Sequence, residues 1–269
     1  MNNELFGLIA GNGDFPLVFL KEAHRQNIPC VVIALKGEAD PSIESLSSSV
    51  FWVNIGHLNE LIGILKTGNV TKAVMCGQVV HTRLFTEVKL DWRAIKLLGY
   101  IKDRKTDSIL RAVADELSSE GIELISSITL LDKYVPNQKG PLTKTKPSKS
   151  ILQDIEFGMD IAKKLAGLDI GQTVVVKERV VVAVESLEGT DKCIQRAYEL
   201  AGAGIVVVKV NKPNQDLRFD VPVIGERTFT TLKSVKAGAI AFESGKTLFL
   251  DSVRSLEIAD ESKIVVYGI

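Results

Sequence analysis

Apolar runs alternate with stretches of helical periodicity through the first half of the chain. LFGLIAG (5–11) is an apolar run of strand length, and PLVFLKEAHRQN (16–27) follows with apolar positions at helical spacing. CVVIAL (30–35) predicts a second strand, HLNELIGILKTG (57–68) a second helix, and KAVMCG (72–77) a third strand. Continuous apolar strands separated by amphipathic helices predict a Rossmann-like parallel sheet covered by helices. Residues 91–121 keep helical periodicity in two pieces broken near Gly99, and IELISS (122–127) predicts one more strand.

The pattern stops at PNQKGPLTKTKPSK (136–149), which has three prolines, four lysines and no acid. Such a stretch predicts a boundary, so the expected organisation is a domain over 1–135, a linker over 136–149 and a second domain over 150–269. The second half opens with a helix over SILQDIEFGMDIAKKLAG (150–167), with Ser150 as its expected cap. TVVVKERVVVAVES (173–186) reads as two strands around Lys177, Glu178 and Arg179, in the manner of a hairpin. EGTDKCIQRAYELAG (188–202) predicts a helix with Thr190 capping and Asp191 in the first turn, where the positive end of the dipole favours an acid. GIVVVKV (204–210), AIAFESGKTLFLD (239–251) and KIVVYGI (263–269) supply further strands. The fold class is α/β, with two lobes and a mixed sheet in the second.

Composition narrows the function. Lysine plus arginine total 33, as do aspartate plus glutamate, so there is no basic field to hold a nucleic acid. Cys30, Cys76 and Cys193 show no zinc spacing and read as small core hydrophobes. No basic region precedes an apolar one at the N-terminus, and no apolar run approaches the ~20 residues of a membrane span. A cytoplasmic protein is expected; the sequence does not fix its oligomeric state, a homodimer being common among soluble enzymes.

Candidate chemistry sits at four places. GNGDFP (11–16) lies where a strand passes into a helix, and Gly11, Asn12 and Gly13 can bring backbone amides close to a phosphate. It departs from the dinucleotide fingerprint: Pro16 replaces the third glycine, and the acid Glu38 comes late. In CGQV (76–79), Gln78 ends a strand of the same sheet, at the edge where open α/β sheets bind ligands. The EGTD helix start (188–191) is explained first by capping, and the same dipole would also orient an anion or a metal-bound phosphate. In KPNQDLRFDVPVIG (212–225), Pro213 and Pro222 disfavour a helix, and an extended chain would put Asp216, Arg218 and Asp220 on one face. A straight strand would hold the two aspartates ~13 Å apart, too far for one ion unless the chain bends. The alternative is a solvated strand end with a salt bridge. His24 and His57 are expected at the surface, and His81 follows the Gln78 edge.

These motifs, taken in order with GEAD, PSKSILQDIEFG, DIGQTVVV and VESLEGTD, resemble the LpxI family, the UDP-2,3-diacylglucosamine pyrophosphatases of lipid A synthesis, over nearly the whole chain. The resemblance implies two domains holding UDP-2,3-diacylglucosamine. It further implies magnesium-dependent (Mg2+) hydrolysis of the diphosphate to UMP and 2,3-diacylglucosamine 1-phosphate, with transient contact at the inner membrane surface. On matching positions it implies substrate binding by Gly11, Asn12, Gly13, Gln78, Thr190, Asp191 and Gln215. Catalysis falls to Asp216, Arg218 and Asp220, and metal binding to Asp216 and Asp220. A dinucleotide-dependent reductase of a nucleotide sugar is the alternative resting on the GNG turn, and a non-catalytic lipid carrier is a third reading.

Overall fold

The computed structural model describes residues 4–79, 89–101, 106–213 and 215–269. The chain forms two compact units. The first comprises Met1–Leu131 with Leu217–Phe219, the second Asp132–Asp216 with Asp220–Ile269.

The first unit is built on a five-stranded parallel sheet in the order β3-β2-β1-β4-β5. Its strands are β1 (Phe6–Ala10), β2 (Cys30–Leu35), β3 (Val50–Val53), β4 (Lys72–Cys76) and β5 (Glu123–Leu124). The helices are α1 (Phe15–Arg25), α2 (Leu58–Thr67), α3 (Trp92–Tyr100) and α4 (Thr106–Ser119). All five residues of β1 are buried, as a central parallel strand covered on both faces requires. Ile33, Ile62, Leu65, Leu117 and Ile122 lie in the main core cluster. Two expectations change here. VFWV (50–53) is a strand that the pattern does not announce: its burial is uneven and its order comes from pairing with β2. IELISS shortens to the two residues of β5, because only Glu123 and Leu124 pair with β4.

The second unit holds a six-stranded sheet in the order β6-β13-β11-β9-β7-β8. Here β6 is Gly140–Pro141, β7 Thr173–Lys177, β8 Val180–Val184, β9 Val206–Lys209, β11 Ala239–Phe242 and β13 Val265–Gly268. The strands β13, β11 and β9 are parallel, while β6, β7 and β8 run antiparallel to their neighbours. A separate parallel pair joins β10 (Val223–Ile224) to β12 (Leu248–Phe249). Helices α5 (Lys149–Gly167), α6 (Thr190–Ala201), α7 (Glu226–Ser234) and α8 (Ser252–Glu261) complete it. Residues 136–149, expected as a linker, carry β6, and the Gly245 amide donates to the Pro136 carbonyl at 2.8 Å. This stretch is therefore part of the second unit.

The hairpin over 173–186 forms as β7 and β8, closed by Glu178 (φ 52°) and Arg179 (φ 58°). Two non-glycine residues with positive φ match the twist of a tight hairpin at a steric cost. Asp154 of α5, buried, offsets that cost: its carboxylate accepts from the amides of Glu178 (3.0 Å) and Arg179 (2.7 Å). The cap of α5 is Ser148 and not Ser150, because it is the Ser148 hydroxyl that accepts from the Ile151 amide (3.2 Å).

Candidate functional site

In the first unit the order β3-β2-β1-β4-β5 reverses direction at β1 and β4, which makes their carboxyl ends the topological switch point where open α/β sheets bind ligands. Both loops leaving these strands carry residues singled out from the sequence. The Asn12 amide donates to the Gln78 carbonyl (2.7 Å), the Gln78 amide donates back to Asn12 (3.0 Å), and the Gly11 amide donates to Cys76 (2.8 Å). The approach demands glycine. A Cβ on Gly11 would stand 2.6 Å from the Gln78 carbonyl oxygen, and one on Gly77 (φ +89°) 2.6 Å from that of Asn12. Gly11, Asn12 and Gln78 are thus brought together, with Gly13 (φ +96°) next in the turn. The Gln78 side chain is exposed and makes no hydrogen bond to a described residue, so its amide is presented and not spent in the core. Pro16 lies in the first turn of α1 and removes one amide donor from that helix start. Glu38 is buried, unlike the ribose-binding acid of a dinucleotide site.

In the second unit the polar residues gather at the carboxyl ends of β9 and β11, where antiparallel β7 begins. The stretch 215–220 is not the extended chain that the prolines suggested. Residues 217–219 form a turn, and the Asp220 amide donates to the Asp216 carbonyl at 3.1 Å. Pro213 and Pro222 lie outside the bend and restrict only themselves and the residue before each. The loop is held from within by Gln215. Its Oε1 accepts from the Lys212 amide (2.7 Å), and its Nε2 donates to the Asp220 carbonyl (3.0 Å) and to Gln172 Oε1 (3.3 Å). Gln172 in turn donates to Asp220 Oδ2 at 2.7 Å, and Lys212 Nζ lies 3.6 Å from the same oxygen while pairing with Asp169 at 2.6 Å. The turn tip Leu217–Phe219 is counted with the first unit: the Ser127 amide and hydroxyl donate to the Leu217 carbonyl (3.0 and 2.8 Å), and the Arg218 guanidinium stacks 4.8 Å from the Phe219 ring centroid. Arg218 therefore does not share an extended face with the two acids.

At the start of α6 the capping expectation also changes. The N-cap is Gly189 (φ +82°), a conformation only glycine adopts readily, and Thr190 is the first helical residue. Being inside the helix, Thr190 is not its cap, and its hydroxyl points its hydrogen bonds elsewhere, donating to Glu185 Oε1 (2.8 Å) and accepting from Lys209 Nζ (2.7 Å). Asp191 pairs through Oδ2 with Arg227 (3.0 Å), while its buried Oδ1 has no hydrogen-bond partner among the described residues. Behind this edge, buried Glu243 accepts from Lys163 (2.5 Å) and from the Asn211 amide (2.6 Å). Burial pushes the Glu243 carboxyl up, but Lys163 and the Asn211 amide outweigh it and hold the group below the usual carboxylate range.

Gln172, Lys209 and Glu185 were missed in the sequence. Gln172 stands in the DIGQ stretch just before β7, which is its one local signal. Lys209 closes an apolar strand and Glu185 follows one, so each reads as a strand end. His81 lies outside the described residues, and His24 is exposed while His57 is half-buried. No group of three or more His, Cys, Asp or Glu suited to a metal occurs among the described residues. Two carboxylates on a closed turn nonetheless suit magnesium, which is commonly held by one or two carboxylates together with substrate phosphates.

Two comparisons bear on what this arrangement serves. The family model for the LpxI N-terminal domain matches residues 5–134, and that for the LpxI C-terminal domain matches residues 138–267. A protein of Caulobacter vibrioides, UDP-2,3-diacylglucosamine pyrophosphatase LpxI, is 30% identical over 275 residues, covering 98% of this chain and 96% of its own. Nothing in these matches supports a dinucleotide-dependent reductase.

Proposed function

The chain belongs to the LpxI family, and from that premise we propose that it hydrolyses the diphosphate of UDP-2,3-diacylglucosamine, giving UMP and 2,3-diacylglucosamine 1-phosphate. The observation that carries this reading is the closed turn that draws Asp216 and Asp220 together within the part matched by the family's C-terminal domain. Asp216 and Asp220 would hold Mg2+, which supplies charge neutralisation and a more acidic water when bound. Asp220 is the group that takes the proton of the attacking water, its carboxylate oriented by the Gln172 amide. Arg218, at the loop tip, offsets charge on the diphosphate. The exposed Gln78 amide and the Gly11–Gly13 turn suit a nucleoside and its phosphate.

Incubation of the purified protein with UDP-2,3-diacylglucosamine and magnesium tests this. Release of UMP is expected, and its loss on chelation with recovery on adding magnesium back supports the metal assignment. Intact substrate at enzyme excess would refute the reaction. Activity indifferent to chelator would refute the metal.

Contact with a membrane surface belongs to the same proposal. No helix among the described residues is long and apolar enough to cross a membrane. On α3, however, Trp92 (63% exposed), Ile95 (59%) and Tyr100 (78%) present apolar surface to solvent beside exposed Lys96. Amphipathic aromatics with lysine suit the headgroup region of an anionic bilayer, where the acylated substrate resides. Co-flotation with phosphatidylglycerol vesicles, reduced in a Trp92→Ser/Ile95→Ser variant, is the expected result. Equal flotation of both proteins would sink the assignment of α3.

A further inference from the structure

Among the lysines around the polar edge of the second unit, Lys163, Lys212 and Lys209 differ in how their charge is met. Lys163 pairs directly with Glu243, and Lys212 with Asp169. Lys209 makes no ion pair among the described residues, although it is 8% exposed. Its ammonium has three N–H donors, of which one goes to the Thr190 hydroxyl at 2.7 Å. A buried ammonium without an anion in contact is costly, and nothing about β9 requires lysine there. The rest of the strand, Val206–Val208, is aliphatic and buried.

The hydroxyl next to it is fixed in one sense. Thr190 gives its only proton to Glu185 Oε1 (2.8 Å), so toward Lys209 it acts as acceptor. Thr190 therefore offers no proton to a phosphoryl oxygen while that bond holds, and the donors at this point of the edge are those of Lys209. Position agrees: Lys209 ends a parallel strand, on the carboxyl side where α/β sheets bind ligands. Its ammonium also stands beside the N-terminal residue of α6, whose first-turn amides favour negative charge.

We propose that Lys209 binds a non-bridging oxygen of the substrate's diphosphate with the N–H donors that Thr190 leaves unused, Glu185 and Thr190 acting as the relay that aims it. This rests on the hydrolysis proposed above and names the group that would hold the anion. Glu185 and Thr190 are positioning residues on this account, and of these three Lys209 alone touches substrate.

The test uses Lys209→Met, which keeps the stem and removes the charge. Affinity for inorganic pyrophosphate is measured by calorimetry, and affinity for uridine, which carries no phosphate, serves as reference. Kinetics with UDP-2,3-diacylglucosamine follow. The expected result is a fold intact by circular dichroism, pyrophosphate affinity at least ~10-fold weaker with uridine unchanged, kcat/KM lower by about 100-fold, the scale of a lost transition-state donor, and partial recovery in Lys209→Arg. A folded Met variant that binds pyrophosphate like the wild type overturns the proposal. If the Met variant does not fold, lysine-15N spectra of the wild type decide: the Lys209 ammonium signal, identified by its absence in Lys209→Arg, shifts with pyrophosphate or the proposal fails. Pyrophosphate binding is read whether or not the nucleotide is cleaved. An inactive wild type that still binds pyrophosphate through Lys209 would thus sink the reaction and spare the anion site.

Discussion

Asp220 is held through both its main chain and its side chain: its amide closes the turn to Asp216 and its carbonyl accepts from Gln215, while its carboxylate accepts from the Gln172 amide with Lys212 Nζ 3.6 Å away. Removing the carboxylate leaves the turn bond intact, so Asp220→Ala is expected to fold. It should turn over UDP-2,3-diacylglucosamine at least ~100-fold more slowly, the scale of a lost general base. Near wild-type turnover by a folded variant would take Asp220 out of the mechanism. Gln172→Ala leaves the acid but frees its orientation, and a smaller loss, about 10-fold, is expected in the same assay. Cys76 and Cys193 are buried as the sequence reading has them, while Cys30 is half-buried; burial pushes the Cys193 thiol up to about 12 and Cys30 up to about 11, and Cys76 is raised well above its ordinary value. Thiolate is the reactive form, so at pH 8 the folded protein should resist alkylation that the urea-unfolded chain accepts at once. Rapid native labelling would contradict the burial.

At the scale of elements, two local devices hold the edges in shape. The hairpin turn between β7 and β8 sits at positive φ on Glu178 and Arg179, and Asp154 binds both amides. Asp154→Ala leaves those donors without their partner, and a loss of about 2–3 kcal/mol is expected in urea unfolding, the scale of a buried charged acceptor. Arg179→Gly relieves a strained φ and should recover part of that loss in the double variant. Additive independence of the two changes would mean that Asp154 does not serve the turn. In the first unit, Gly77→Ala meets a main-chain oxygen at 2.6 Å and must push the loops after β1 and β4 apart. Gly13→Ala meets nothing within 4 Å and bears only the conformational cost, roughly 1–2 kcal/mol. Nucleotide binding should suffer more in the first variant than in the second, read by UMP titration.

At the scale of the whole molecule, equal numbers of acidic and basic residues make stability depend on which pairs persist as acids protonate. Glu243 titrates below its ordinary value in the folded chain, and Glu120, held by Lys66 and Arg93, is lowered to about 2. A carboxyl depressed by folding contributes stability that is complete above its unfolded pKa, near 4.5, and is lost as pH falls through the folded value. The urea midpoint should therefore fall between pH 5 and pH 2. Glu120 is exposed to solvent screening, so Glu243→Gln should flatten more of that slope than Glu120→Gln. A midpoint constant across the window would show these pairs to be without consequence for folding.

The alternation of apolar and amphipathic stretches, the hairpin around Lys177, Glu178 and Arg179, and the glycines of the first turn were determined by sequence alone, because each depends on neighbours within a few positions and on fixed backbone periods. Boundaries slipped where pairing or capping decided them: β3 exists by lying beside β2, β6 by lying beside β13, and the cap of α5 sits two residues earlier because Ser148 reaches the Ile151 amide. The polar edge of the second unit was decided only in three dimensions. Gln172 meets Asp220 across 48 positions, Lys209 meets Thr190 across 19, and Lys163 meets Glu243 across 80. No periodicity encodes such distances. They follow from which strand ends the sheet order sets side by side, and a lysine closing an apolar strand looks the same in sequence whether an acid faces it or not.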